Sequence, residues 1–385
     1  MIVRAGVLYD GTLAPPRTNV DIEIADGLIA GIRAATSAAP DRIAACVTPG
    51  LVNAHAHLVM SGEPDTMGAV ARMHHNEQVI AAVENAAKTL RAGITTIRDV
   101  GSGRGVAQAV RDGINAGRIP GPRMRAAGHV LCMTGGHGWF LGRNIDGPWD
   151  ARKAVREELL AGADCIKVIA TGGVLTKGAV PGNAQLLPEE LEAAISEAHR
   201  HGLRVAAHAI GTEGIKNALR AGVDSVEHGH LLDDEAIELF TARGAYLVPT
   251  LMAPTCILEH LHDGSQPAYV IHKAKTIGEA MAANIRRAYE AGVRIAGGSD
   301  AGTPFNRHED YAGEIELMQR MLGMSPHQAL HAATAVAAEL IGIHRGVLAG
   351  GEPADLVLWS RDISDDIRTL RAPQAVIKAG AIISS

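Results

Sequence analysis

Aromatic residues make up only 3% of this 385-residue chain, and cysteine occurs four times. Cys46, Cys132, Cys165 and Cys256 follow no disulfide-framework spacing and sit in apolar contexts, which predicts reduced, buried thiols in a cytoplasmic protein. There is no block of like charges, and a net charge of -6 argues against a nucleic-acid or anionic-membrane partner. No run reaches the ~18 apolar residues that would span a bilayer. The opening MIVRAGVLYDG, interrupted by Arg4 and Asp10, is too short an apolar run for a signal peptide. No dinucleotide or P-loop glycine fingerprint follows any strand, which weakens an open nucleotide-binding sheet. What remains, 47% apolar and 20% charged, is the composition of an ordinary globular chain that folds without a metal or disulfide staple.

Both ends read as short strands. Ile2 to Leu8, Val20 to Ile24 and Leu28 to Arg33 lie at the start, the last two separated by the turn Asp26-Gly27. Ala354 to Trp359 and Ala375 to Ile383, the latter broken at Ala379-Gly380, answer them at the end. Neither end suffices for an independent sheet, so residues 1–49 and 346–385 are expected to combine into one small β domain. The middle, 50–345, repeats one phrase six times: a helical run ends in Gly93, Gly162, Gly202, Gly222, Gly244 or Gly292, and an apolar strand follows at once. Glycine just past a helix end supplies the left-handed turn that caps it. Leu51 to His57 and Arg123 to Val130 complete eight strands, and the amphipathic runs Glu77 to Arg91, Ala151 to Ala161, Pro188 to His201 and Lys273 to Ala291 lie between them. Eight βα units in about 300 residues predict an α/β chain folded as a closed (β/α)8 TIM barrel, flanked by the small β-sandwich domain.

The chain is organised around TPGLVNAHAHL, Thr48 to Leu58. On a strand, His55 and His57 share a face and converge on one point. A barrel places its chemistry at the C-terminal ends of its strands. There stand His55 and His57 on strand 1, Lys167 on strand 4, His208 on strand 5, His228 on strand 6 and Asp300 on strand 8. Taken singly each has an ordinary alternative: a loop cap for Asp300, a satisfied core histidine for His208 or His228, an ion pair for Lys167. Six polar residues at the catalytic ends of one barrel need a common partner, and four histidines with carboxylates suit Zn²⁺.

The motifs PGLVNAHAH, CIKVIATGG, AAHAIGTEG, VEHG and GGSDAGTP together make the chain resemble the amidohydrolase superfamily over nearly its whole length. TGGHG at Thr134 to Gly138 and TGGV at Thr171 to Val174 place the resemblance in the imidazolonepropionase-like branch that includes metal-dependent Xaa-Pro dipeptidases. The resemblance implies two zinc ions per chain. His55, His57 and Asp300 would hold the buried ion and His208 and His228 the more exposed one, with N6-carboxylated Lys167 and a water or hydroxide bridging them. It further implies that Asp300 moves the proton from that water to the leaving nitrogen, and that His137, framed by glycines after strand 3, recognises the substrate carbonyl or oxyanion. One departure stands out. Related dipeptidases often carry a tyrosine two residues after the strand 5 histidine, where this chain has Ile210.

Specificity is expected from the loops after strands 1, 3, 4 and 7. Trp139, Phe140 and Trp149 in the strand 3 loop suggest an aromatic wall over the metals, and the strand 7 loop brings Met252, Ile257, Leu258 and Tyr269. Arg98 and Arg143 could each pair with a substrate carboxylate. An internal pair such as Arg98-Asp99 is the competing reading. These features predict a small-molecule substrate: an amide in an N-acyl or aminoacyl amino acid. The alternatives are hydrolysis or deamination of a cyclic amide or amidine, as in imidazolonepropionase, against which Lys167 counts, and a catalytically silent scaffold. Association into a homo-oligomer is an expectation by analogy with other barrels.

Overall fold

The computed structural model describes residues 1–384. Four strands open the chain: β1 (Ile2–Leu8), β2 (Arg17–Ala25), β3 (Leu28–Ala34) and β4 (Arg42–Pro49). After the barrel come β15 (Leu356–Trp359), β16 (Ala375–Lys378) and β17 (Ala381–Ser384), and all seven form one sheet in the order β17-β16-β15-β4-β1-β2-β3. Every pairing in it is antiparallel except β1 with β4. The two edges fold towards each other, since Ala354 donates to the Gly27 carbonyl (2.9 Å) and Leu28 bridges Pro353. That closure makes the sandwich around Val3, Ile22, Ile29, Leu356 and Ile377. β4 was not anticipated as a strand. Its polar and apolar residues alternate too weakly, and its place is fixed by neighbours 39 residues upstream and 309 downstream, through Ala5↔Ala44 and Val357↔Thr48.

Gly50 alone separates β4 from β5 (Leu51–Ala56), so the terminal sheet feeds directly into the barrel. The barrel continues with β6 (Ile94–Asp99), β7 (Arg123–Ala126), β8 (Val130–Cys132), a short β9 (Gly142–Asn144), β10 (Cys165–Ile169), β11 (Arg204–Ala209), β12 (Ser225–His228), β13 (Tyr246–Val248) and β14 (Arg294–Ile295). Neighbours pair in parallel in two stretches, β5-β6-β7 and β14-β13-β12-β11-β10-β8-β9. Ala54 donating to the Gly297 carbonyl (2.9 Å) and the parallel bridge Ala56–Ala301 close one seam. At the other seam the third barrel strand runs through β7 into β8. The single strand expected from Arg123 to Val130 is therefore bent at Ala127–His129, where Gly128 takes φ +82°.

The helices α1 (Thr66–Arg72), α2 (His75–Arg91), α3 (Val106–Asn115), α4 (Pro148–Leu160), α5 (Pro188–Arg200), α6 (Thr212–Arg220), α7 (Asp234–Arg243), α8 (Met252–Glu259), α9 (Ala268–Glu290) and α10 (Ala312–Leu322) surround the strands. Proline at the first position starts α4 and α5, and in α5 Glu190 reaches back to accept from the Leu187 amide (2.8 Å). All six junction glycines have φ between +64° and +88°. Each helix thus ends in the left-handed turn that its sequence requires. Leu90, Leu191, Ile215, Phe240 and Ile285 on the helices pack with Ile97, Ile166, Val205 and Leu247 on the strands in one continuous core. No helix among the described residues is long and apolar enough to cross a membrane.

Candidate metal centre

His55, His57, Lys167, His208, His228 and Asp300 all line one cavity at the C-terminal mouth of the barrel, with about 770 Å³ of empty volume. Parallel register brings them there. Ile169 on β10 sits opposite His208 on β11, and Ala209 opposite His228 on β12, so Lys167, His208 and His228 rise on three adjacent strands. His228 and Asp300 both adopt left-handed backbone, φ +75° and +59°. A non-glycine residue is held in that region only where its surroundings over-determine it, and such residues gather at functional sites.

Each of the four histidines has one ring nitrogen held from outside. His55 Nδ1 bonds Glu227 Oε2 (2.7 Å), His57 Nδ1 donates to the Gly101 carbonyl (2.6 Å), His208 Nε2 to the Gly172 carbonyl (3.0 Å), and His228 Nδ1 bonds Thr250 Oγ1 (2.7 Å). The second nitrogen of each ring is left over. His55 Nε2 and His57 Nε2 both lie 3.3 Å from Asp300 Oδ1. Donor atoms of His55, His228 and Asp300 fall within 4.8 Å of one another. An outer partner that fixes ring orientation and tautomer while the inner nitrogen stays bare is the arrangement of metal-binding histidines. The residues therefore fit divalent ions.

Burial supports the neutral state these rings would need. It drives His208 and His228 well below the usual histidine range. Burial alone would raise the Asp300 carboxyl, but His55 and His57 outweigh it and hold it well below its ordinary value. Lys167 is 2% exposed, and burial pushes its amine down to about 8 against the pull of Glu227 and Asp300. Among the described residues no hydrogen bond or ion pair holds its Nζ, so the ion-pair alternative for Lys167 has no partner on this structure.

Arg98 is not a substrate contact. Its guanidinium is 2% exposed inside the barrel, where it donates to the Ala54 carbonyl (2.7 Å), Ser225 Oγ (3.1 Å) and Glu227 Oε1 (2.8 Å). Burial would raise Glu227, but the Arg98 charge and the bond to His55 bring it down to about 2. Arg98 thus keeps Glu227 ionised, and Glu227 orients His55. The partner expected for Arg98, Asp99, is occupied elsewhere: it accepts from the Leu58 and Gly101 amides and from Ser102, building the turn whose carbonyl holds His57.

Arg143 is also turned away. It stands on β9 and pairs with Glu157 (2.6 Å) and Asp150 (3.0 Å) of α4. β9, absent from the sequence reading, pairs alongside β8 and faces this side chain to the helix. Of the three aromatic residues expected over the metals, only Phe140 lines the cavity; Trp139 is 53% exposed on the outer rim and Trp149 83% exposed. The strand 7 segment is helical rather than a loop. It delivers Ala253, Pro254 and Ile257 to the cavity from α8. Ile210 lines the cavity as an apolar wall.

His137 does reach the cavity, and its ring packs 4.4 Å from that of His208. Its backbone amide donates to Gln185 Oε1 (2.9 Å), and Nδ1 lies 2.9 Å from Thr176 Oγ1. Thr176 Oγ1 also accepts from the Gly138 amide (3.4 Å), and the hydroxyl keeps a hydrogen and a second lone pair with which to meet Nδ1. Burial takes this imidazole down to about 3, so the ring is neutral. A Cβ on Gly173 would run into Nε2, which accounts for the glycine there. Three contributors escaped the sequence reading. Glu227 was legible only as the neighbour of His228, His230 only as the second histidine of VEHGH, and Thr176 carried no signal at all.

The matches with known proteins agree with this geometry. Residues 46–383 match the profile of the amidohydrolase family. Ochratoxinase of Aspergillus niger is 30% identical over 423 aligned positions, covering 97% of this chain and 84% of that protein. A solved Xaa-Pro dipeptidase with bound methionine is 34% identical with a TM-score of 0.91, over 99% of this chain and 98% of the other. A prolidase complexed with N-methylphosphonate-L-proline is 27% identical with a TM-score of 0.90, over 99% of both chains. With the match spanning most of its length and falling on the residues gathered at the barrel mouth, this chain belongs to the amidohydrolase family, among its prolidase-like members.

Proposed function

We infer that the protein is a binuclear zinc amidohydrolase that cleaves an amide bond in a small N-acyl or aminoacyl amino acid. One observation carries this reading: four imidazoles, each fixed by an outer partner through one ring nitrogen, line one cavity with Asp300, His55 and His57 turn their second nitrogen to it, and Lys167 is buried unpaired beside them. His55, His57 and Asp300 would hold one ion and His208 and His228 the other. A free Lys167 ammonium would repel both, whereas its carbamate offers two anionic oxygens and satisfies two cations. When bound, such ions polarise the amide carbonyl and make water a nucleophile at neutral pH.

The chain's own groups do the rest. With its ring hydrogen on Nε2, His137 donates to the amide oxygen as negative charge develops there. Asp300 takes the proton released on attack and delivers it to the departing nitrogen, because an amine leaves poorly without one. Ile210 offers no donor where related dipeptidases often have tyrosine, a loss of about 3 kcal/mol if nothing replaced it. His137 is the donor left to carry that charge. The apolar walls Val130, Phe140, Leu141, Ile169 and Ile257 suit the acyl portion. In this reading residues 50–345 form the catalytic unit, 1–49 and 346–385 the small β domain, and the enzyme works in the cytoplasm.

Metal analysis and turnover of N-acyl amino acids and dipeptides, with zinc and bicarbonate supplied, test it together. Two zinc ions per active chain are expected; one or none overturns the binuclear reading. Full activity in Lys167→Ala would instead favour a single-metal hydrolase or deaminase of a cyclic amide or amidine.

A further inference from the structure

Backbone strain sits directly behind one of the ligand candidates. Thr250 takes φ +46°, and a β-branched residue in left-handed backbone is an outlier that its surroundings must enforce. The residue is fully buried, and its Oγ1 is the group that holds His228 Nδ1 (2.7 Å). The amides that follow it, of Leu251 and Met252, open α8 and have no helical carbonyl to bond. Leu251 stands in the capping position and offers no side-chain acceptor. Both amides go instead to one distant side chain: Leu251 donates to Glu314 Oε1 (2.9 Å) and Met252 to Glu314 Oε2 (2.7 Å).

Glu314 is wholly buried in the first turn of α10, and among the described residues no Lys, Arg or His pairs with it. Burial lifts its carboxyl to about 8 against the pull of the two amides, and either protonation state leaves both oxygens able to accept. A carboxyl buried without a counter-charge is costly. Capping alone does not account for it, since a short polar side chain at position 251 would serve a helix start locally. The other end of α10 contact is anchored as well: the Tyr311 hydroxyl donates to the Val52 carbonyl (2.7 Å) of β5, the strand that carries His55. Gly313 lies close against α8, where a Cβ would meet Met252 Sδ at 2.7 Å. A continuous brace therefore runs from β5 through α10 and Glu314 to Thr250, and ends on His228. The two rings it ties together, His55 and His228, have centroids 5.2 Å apart and belong to different ions in the two-metal reading.

We propose that Glu314 is a positioning residue: by fixing the two amides after Thr250 it holds that residue in its left-handed turn, and through the Thr250 hydroxyl it sets where the His228 ring stands relative to His55 and Asp300. It touches neither substrate nor the reacting atoms. What it governs is how tightly the ion on His208 and His228 is held, because an outer partner that orients a ligand tunes the affinity of the site. The zinc readouts below rest on the two-metal reading above, and the imidazole readout does not.

The test combines zinc titration of the metal-free enzyme with bicarbonate present, thermal unfolding, and the ¹⁵N resonances of the His228 ring. Glu314→Leu, which removes both acceptors, should weaken one of the two zinc ions by about 10–100-fold and leave the other within about threefold. Glu314→Gln keeps one acceptor and should fall between, and it serves if the leucine variant does not fold. The sharpest comparison is a cycle with Thr250→Val, which removes the hydroxyl by itself. On that background Glu314→Leu should weaken zinc by less than about twofold more. Losses that multiply, or a fall in thermal stability with zinc affinity unmoved, make Glu314 a plain helix cap and overturn the proposal. In the metal-free enzyme the His228 resonances should move in Glu314→Leu in the direction they move in Thr250→Val, and unmoved resonances also overturn it. If the wild type binds fewer than two zinc ions while those resonances move, the two-metal reading fails and the role of Glu314 stands.

Discussion

The floor and the roof of the cavity are built on different principles. On the floor, every ligand candidate stands on or just after a barrel strand, and each histidine is held by a partner on a second element: Glu227, Gly101, Gly172 or Thr250. Behind His55 a further layer follows, with Glu227 paired to Arg98 and Arg98 tied to Ala54 and Ser225. The roof comes from the segments after β8, β10 and β13, and it is mostly apolar. Only His137, through Thr176, is oriented with comparable care. The difference teaches that chemistry shared across a family is over-determined by rigid strands, while substrate choice rests on a few side chains carried by segments that can vary.

Substitutions can break or sharpen this contrast. The largest effect belongs to the floor: Lys167→Ala should lower kcat/KM at least ~10³-fold, about 4 kcal/mol of transition-state stabilisation, and zinc content measured on the same sample should fall. Next comes the layer behind it. Glu227→Gln leaves Arg98 buried without its counter-charge and His55 without its orienting carboxylate, so thermal unfolding should report a loss of about 3–5 kcal/mol. Zinc titration of the same variant should show affinity weaker by about 10–100-fold. On the roof, Thr176→Val should reduce kcat by about tenfold while KM moves little, because the methyl keeps the shape and removes the hydroxyl that holds His137 Nδ1 and the Gly138 amide. Thr176→Ser should recover most of it. Equal losses in the valine and serine variants would show that Thr176 matters only for packing.

Two smaller effects lie away from the cavity. Glu197 on α5 is gripped by Arg156 (2.8 Å) and Arg152 (3.3 Å) of α4. The Arg156 bond, opposed by burial and aided by His201, brings its carboxyl down from 4.5 to about 2. A carboxylate with a depressed folded-state pKa contributes stability above pH 4.5 and loses it as pH falls towards 2. Denaturation followed across that window should therefore be steeper in the wild type than in Glu197→Gln. Smallest of all, Arg143→Ala and Trp139→Ala should change kcat/KM by less than about twofold, and Arg143→Ala should cost under about 1 kcal/mol as a partly exposed ion pair. A tenfold loss in either variant would return these residues to the substrate site.

The sequence by itself determined the barrel, the sandwich and the gathering of polar residues at the barrel mouth. Those features rest on local or periodic signals: a glycine past each helix end, apolar runs of strand length, and histidines two apart on one strand. Once the strands pair in parallel, their ends must meet, so His55, His57, Lys167, His208, His228 and Asp300 were legible without coordinates. The direction of individual side chains was not. Arg98 finds Glu227 129 residues away rather than its neighbour Asp99, and Arg143 leaves the cavity because β9 pairs beside β8. Glu314 becomes distinctive only once the Leu251 and Met252 amides meet its two oxygens. Only the tertiary structure decided these points, because hydrogen-bond partners are chosen by proximity in space, and the chain order carries no record of which distant group will be nearest.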